Sequence, residues 1–144
     1  MAATSYANSR LVMSFGPRKL LLTALLVLTF VSALHLALVL WQGETIWAFV
    51  IMQALTMACF GLVGANAGAL AMQPLGHIAG TASAVQGMLG TIGGALIGYG
   101  VGQAFDGTTL PLVAGFALCG VLALAVALWA NPKDKTVPFE TARL

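Results

Sequence analysis

Charged residues are scarce in this sequence. They make up 7% of its 144 residues, whereas 60% of the residues are hydrophobic. Soluble globular domains average about 25% charged residues, so the chain has too few charges to cover a surface that faces water. The mean hydropathy of +0.97 supports the same interpretation. The composition therefore predicts an integral membrane protein whose main partner is the lipid bilayer.

Lysine and arginine are missing from the whole span 20–132. The six basic residues lie near the two ends of the chain: Arg10, Arg18, Lys19, Lys133, Lys135 and Arg143. A nucleic-acid partner is not expected, because binding to nucleic acid needs a basic patch on one folded face.

Cysteine is also rare, and no catalytic set of residues is present. Cys59 and Cys119 lie in apolar runs, without a CxxC spacing or a His/Cys cluster, so no metal and no cofactor are predicted. Both are interpreted as small buried hydrophobic residues. His77 has no Ser, Asp or Cys partner close in sequence, and we do not expect an enzyme.

Long apolar runs are what the sequence does contain. Four of them cover approximately residues 20–41, 45–72, 82–105 and 110–130. Each can cross a hydrocarbon core of about 30 Å as a helix of roughly 20 residues, and in lipid a helix satisfies its own backbone. The first run is too long for a signal peptide. The sequence predicts an all-α membrane protein with a four-helix transmembrane domain over 20–131.

The distribution of charge predicts the orientation of these spans. An even number of spans places both termini on one side, and the basic residues at both ends place that side in the cytoplasm. Residues 1–19 and 132–144 are then a cytoplasmic segment and a cytoplasmic tail. Glu44 and Asp106, in the short turns, are expected at the outer surface, and no carboxylate falls within a span.

The four segments differ in kind. The first and fourth are mostly Leu, Val and Ala, whereas the second and third carry most of the glycine and amide residues, which predicts two inner helices flanked by two outer ones. Small residues spaced by three or four let helix backbones approach closely in lipid. We therefore expect at least one of the small-residue faces to pack on another helix, while the other can line a cavity. The predicted packing residues are Gly61, Ala65, Gly68, Gly90, Gly94, Gly98 and Gly102.

Polar residues inside the spans are candidates for a substrate cavity. They are Asn66, Gln86, Thr91 and Gln103. The alternative for each is a hydrogen bond between helices without contact to substrate. His35 is a functional candidate because it is ionisable. A neutral imidazole bonded to a neighbouring helix or near the outer interface is the favoured interpretation, since it has no acidic partner in its segment.

The glycine-rich stretch "GTIGGALIGYGVGQ" (90–103) is not a nucleotide-binding loop. A dinucleotide fingerprint needs GxGxxG between a strand and a helix. Here Gly98 and Gly100 are followed by Gln103, and the context is an apolar span. The stretch predicts a transmembrane helix.

Three stretches carry a resemblance to a known family. "ANSRLVMSFGPRKLL" (7–21) resembles the basic cytoplasmic loop between the eighth and ninth helices of major facilitator superfamily transporters, through Asn8, Arg10, Gly16, Arg18 and Lys19. "GANAGALAMQPLGHIAGTASAVQG" (64–87) is similar to the tenth helix, inner loop and start of the eleventh helix in the Bcr/CflA drug-resistance branch. "GQAFDGTTLPL" (102–112) is similar to the turn before the twelfth helix of that branch.

The resemblance implies proton-driven efflux of drugs or other hydrophobic or amphipathic small molecules across the bacterial inner membrane. In this family the tenth and eleventh helices line the central cavity, and complete members have twelve helices. The chain has only four spans, so we expect a C-terminal fragment that corresponds to the ninth to twelfth helices and is inactive alone. Its expected partners are the remaining transporter helices or a second copy of the chain.

Two other functions compete with this interpretation. The first is a small four-helix exporter that works as a homodimer. Such exporters rely on a glutamate in the first helix, and Glu44 lies in a turn instead. The second is a non-transporting membrane subunit or assembly protein that docks through its glycine faces. Efflux by the chain in liposomes favours the first alternative, and co-purification with a defined partner favours the second.

Overall fold

The computed structural model of the chain describes residue 12 and residues 15–42 and 45–130. This part contains four α-helices and no strand. They are α1 (Pro17–Gln42), α2 (Ile46–Met72), α3 (Ala79–Gln103) and α4 (Leu110–Trp129), and a short 3₁₀ helix, Gln73–Ile78, connects α2 to α3. Compared with the predicted spans, α1 and α3 each begin three residues earlier, and α3 ends two residues earlier.

Three continuous helical segments are long and apolar enough to cross a membrane. They are Pro17–Trp41, Ile46–Gln103 and Leu110–Trp129, and the second has 58 residues because it joins α2, the 3₁₀ helix and α3. A straight helix of that length would span roughly 87 Å at about 1.5 Å per residue. These segments indicate a multi-pass membrane protein in contact with the lipid bilayer.

The 58-residue segment folds back on itself at the 3₁₀ helix. Leu75 has non-helical dihedral angles, with φ −107° and ψ 18°, which interrupts the regular backbone. A Cβ atom placed on Gly68 of α2 would lie 3.5 Å from the side-chain nitrogen of Gln86 of α3. Contact between residues on either side of the 3₁₀ helix means that the end of α2 and the start of α3 form a hairpin at this point.

The start of α1 is set by a glycine and a proline. Gly16 has a φ of +77°, a conformation that residues with a side chain rarely adopt, and its amide donates to the carbonyl of Val12 at 2.9 Å. Pro17 follows as the first residue of α1. A proline is well suited to that position because the first amides of a helix have no partner within it.

The turn between α3 and α4 is organised by Asp106. Its carboxylate accepts hydrogen bonds from the hydroxyl of Thr108 at 2.6 Å and from the amide of Thr108 at 3.0 Å. Gly107, between them, has a φ of +89°. The hydroxyl bond and then the amide bond hold the pKa of Asp106 below its ordinary value of 3.8, because both bonds favour the charged form.

The most buried helix is α1, which packs against both α2 and α4. Its buried residues are Leu20, Ala24, Leu25, Leu28, Ser32 and His35. By contrast, α3 has no buried residue. The prediction of two inner helices formed by the second and third segments is therefore wrong for the described part of the chain. Leucine and valine are equally compatible with lipid and with a helix interface, so composition does not distinguish an inner helix from an outer one.

Close contact between α1 and α4 occurs at Gly120. A Cβ atom at this position would lie 3.4 Å from the hydroxyl oxygen and 3.5 Å from the Cα of Thr29. The neighbouring atoms include backbone, so little adjustment is available. Gly120 is thus a position where a small residue brings two helices together in the way that membrane helices commonly use.

We predict that Gly120→Leu destabilises the protein, because the larger side chain must push α1 and α4 apart. Overpacking of this kind costs about 1–3 kcal/mol. Gly100→Leu is the matched control, since a Cβ atom at Gly100 meets nothing within 4 Å. Unfolding in mixed micelles titrated with a denaturing detergent measures both variants. Equal stability of the two variants would contradict the described packing.

We also predict that Thr108→Val raises the pKa of Asp106 toward its ordinary value, because it removes the stronger of the two hydrogen bonds. A carboxyl whose pKa is lower when folded stabilises the folded state above its ordinary pKa, and this contribution disappears as the pH falls through the lowered value. Carbon-detected NMR titration of Asp106 measures the change. Thr91→Val should leave the pKa of Asp106 unchanged, because the hydroxyl of Thr91 bonds to the carbonyl of Gly87 in α3.

Candidate functional site

A cavity of about 560 Å³ lies among the four helices. On one side α3 contributes Gly94, Gly98 and Gly102 to its wall. On the other sides stand Leu25 and Leu28 of α1, Phe60 and Val63 of α2, and residues from Leu112 to Ala123 of α4. The glycines leave the backbone of α3 as part of the wall, which widens the space between α3 and the other helices.

The wall of this cavity is almost wholly apolar. It contains leucine, isoleucine, valine, phenylalanine, alanine and glycine, together with the thiol of Cys119. Among the described residues, no charged side chain contributes to it. Pockets for small molecules commonly enclose about 300–1,000 Å³ and are lined mainly by apolar groups. The cavity therefore has the size and the chemistry for a hydrophobic molecule, and it offers few groups that could orient a polar one.

The four predicted cavity residues do not converge on this space. Asn66 is buried, and its amide donates to the carbonyl of Leu62 at 2.8 Å. The other three lie exposed on α3: Gln86, Thr91 and Gln103. The hydroxyl of Thr91 donates to the carbonyl of Gly87 at 2.8 Å within its own helix. None of the four is among the residues that line the cavity.

The predicted packing residues differ in whether they contact another helix. A Cβ atom at Gly90, Gly94, Gly98 or Gly102 would meet nothing within 4 Å, so these positions make no close helix contact among the described residues. Gly68 is the exception, because it lies against Gln86. Of the remaining predicted positions, Gly61 is half-buried and Ala65 is exposed. The expectation that such a face can line a cavity fits Gly94, Gly98 and Gly102, which form one wall.

The residues of the predicted cytoplasmic loop motif are described only in part. Asn8 and Arg10 lie outside the described residues. Gly16 precedes α1, and Arg18 and Lys19 are exposed in its first turn. The basic residues of the predicted tail, beyond 130, also lie outside the described part of the chain.

His35 is buried between helices, with 2% of its surface exposed. Its ring packs against Phe49 of α2, with the ring centroids 5.9 Å apart and the planes tilted by 55°. This places His35 against a neighbouring helix, while the neutral imidazole bonded to that helix stays a prediction. The pair also fixes which turns of α1 and α2 lie side by side.

Sequence reasoning missed most of the residues that form the cavity. Leu28, Phe60, Phe116 and Cys119 carry no polar signal that would separate them from residues facing lipid. The spacing of four residues between Gly94, Gly98 and Gly102 is the available signal, but it predicts close helix packing as readily as a cavity wall.

Comparisons of the chain with known protein families, with curated proteins and with solved structures found no match.

The geometry of the cavity predicts how Cys119 reacts. In a Cys59→Ser background, where Cys119 is the single thiol, we expect Gly98→Leu to slow its alkylation by a membrane-permeable maleimide, because the leucine occupies part of the cavity that Cys119 also lines. Gly100→Leu makes the same change at a position that does not line the cavity, and it should leave the rate unchanged. Equal rates in the two variants, measured by mass spectrometry, would contradict the described cavity.

Proposed function

We propose that this chain forms the C-terminal part of a proton-coupled efflux transporter for hydrophobic or amphipathic small molecules, similar to the Bcr/CflA branch of the major facilitator superfamily. The four α-helices correspond in this proposal to the ninth to twelfth membrane spans of such a transporter. Both termini lie in the cytoplasm, and the membrane is the bacterial inner membrane.

The observation that carries the proposal is the hairpin of α2 and α3. The stretch with the most specific resemblance, residues 64–87, runs from the end of α2 through the 3₁₀ helix into α3. The contact between Gly68 and Gln86 closes that stretch into a hairpin. The resemblance implies a helix, an inner loop and a returning helix at this place in the chain.

The exposed surface of α3 also supports the proposal. No residue of α3 is buried, although large hydrophobic side chains such as Leu96 and Tyr99 alternate with its glycines. In a complete transporter, further helices would pack on this surface and complete the substrate pathway. The described helices carry no carboxylate, so the group that couples efflux to protons would belong to those further helices.

Transport measurements test the proposal. The DNA upstream of the first codon, about 900 bases for eight further helices of roughly 20 residues with loops, should encode transporter helices. We expect the 144-residue chain alone to leave an efflux-deficient bacterium drug-sensitive. Joined to those upstream helices, it should lower dye accumulation in a manner that a protonophore abolishes.

Each other outcome assigns a different function. Efflux by the purified chain in liposomes would overturn the proposal in favour of a small homodimeric exporter. Unrelated upstream DNA, together with co-purification of one defined membrane protein, would overturn it in favour of a non-transporting subunit. Joined helices that fold and reach the membrane but show no efflux of any tested compound would overturn it directly.

A further inference from the structure

Two buried polar atoms lie in the helix bundle without a hydrogen-bond partner among the described residues. They are the hydroxyl oxygen of Ser32 in α1 and the side-chain carbonyl oxygen of Gln53 in α2. Ser32 has only 1% of its surface exposed. A buried donor or acceptor that makes no hydrogen bond carries a desolvation penalty, and such groups normally find a partner.

Ser32 differs from three threonines in the middle of these helices. Thr29, Thr56 and Thr91 each donate to the carbonyl of the residue four positions earlier, at 2.8–2.9 Å. Ser32 makes no such bond to the carbonyl of Leu28. Its hydroxyl therefore remains available to a group in the interface between helices.

The packing of α1 on α2 brings Ser32 and Gln53 to the same level. The two helices are consecutive, with three residues between the end of α1 and the start of α2, and they pack together, so they run antiparallel. His35 contacts Phe49 across this interface. Ser32 lies three residues before His35, and Gln53 lies four residues after Phe49, so along the helix axes both are displaced from the ring pair in the same direction, by about 4.5 Å and about 6 Å.

Helix α4 also lies next to Ser32, because it packs against α1. Gly120 of α4 lies against Thr29. Ser32 lies three residues after Thr29, and Ala117 lies three residues before Gly120, so antiparallel packing places Ala117 level with Ser32. Ala117 is itself buried. Its methyl group is small and cannot hydrogen-bond to Ser32.

We propose that a water molecule bridges Ser32 and Gln53 at this junction of α1, α2 and α4. The water would accept the hydroxyl proton of Ser32 and donate to the side-chain carbonyl oxygen of Gln53. Its second hydrogen could reach the oxygen of Thr56, one turn along α2, which still has an accepting lone pair. Buried waters typically make about two to four such bonds to otherwise unsatisfied groups.

A water suits this junction better than a cation. The described parts of α1, α2 and α4 carry no carboxylate at this level, and an uncompensated charge within a membrane span is costly. The proposal concerns the interior of the bundle, and it does not depend on the proposed transport function.

A double-mutant cycle tests whether Ser32 and Gln53 share a partner. Ser32→Ala and Gln53→Leu should each lower the ratio of folded to unfolded protein about tenfold, because each leaves the other residue unsatisfied. The double variant should lose much less than the product of the two, because both groups are then removed. Two independent effects, or a gain in stability from either single variant, would overturn the proposal.

Ser83→Ala supplies the control for this cycle. Ser83 is exposed on α3, and its hydroxyl donates to the carbonyl of Gly80 at 2.9 Å. Combined with Gln53→Leu, it should show independent effects.

Solid-state NMR in lipid bilayers distinguishes a bridging water from a direct bond. Magnetisation should transfer from water to the labelled side-chain carbonyl of Gln53, and the transfer should disappear in Ser32→Ala and in Ala117→Leu, which fills the junction. Ala125→Leu, at an exposed position of the same helix, should retain it. A coupled pair without this transfer would assign a direct hydrogen bond between the two side chains and overturn the proposal.

Discussion

The packing of α2 and α4 on α1 is the constraint on which the rest of the described structure depends. Within lipid, apolar helices gain little from leaving the solvent, so their association relies on close packing and on polar contacts. His35 of α1 contacts Phe49 of α2, and Thr29 of α1 contacts Gly120 of α4. Two helices are thereby held against a third at defined levels, and the cavity opens where α3 does not join them.

Several polar side chains in these helices donate a hydrogen bond to the backbone of their own helix. Thr29, Thr56 and Asn66 each donate to the carbonyl of the residue four positions earlier. A short polar side chain can make this bond wherever it lies on a helix. Its presence in a membrane span therefore says little about which face meets a partner or a substrate, and the polar residues of this chain do not mark its cavity.

The sequence was sufficient to predict apolar helices close to their observed positions, because lipid leaves few other structures for an apolar chain. The predicted connection over residues 73–81 is instead a 3₁₀ helix that continues into α3 at Ala79. In the structure Pro17 is the first residue of α1, three residues before the predicted start, Pro111 is the second residue of α4, and Gly107 lies in the turn before α4. The order of packing could not be predicted in the same way. A leucine that faces lipid cannot be distinguished in the sequence from a leucine that faces another helix. Gly120 contributes to helix packing because it lies against the backbone of Thr29, whereas Gly90, Gly94, Gly98 and Gly102 of α3 make no such contact.

The glycines of α3 are distributed over more of the helix surface than one interface requires. Gly94 and Gly98 face the cavity, whereas Gly87 and Gly100 meet no neighbour and do not line it. In water each glycine would weaken the helix by about 1 kcal/mol relative to alanine. In lipid an unpaired backbone is costlier still, so the helix persists and its bare backbone becomes an accessible surface. A helix with such a surface on two sides can be approached closely from both, by the bundle on one side and by a further helix on the other. Among the described elements, α3 is therefore the one with the most surface left for a further helix, whereas α1 is already packed against α2 and α4.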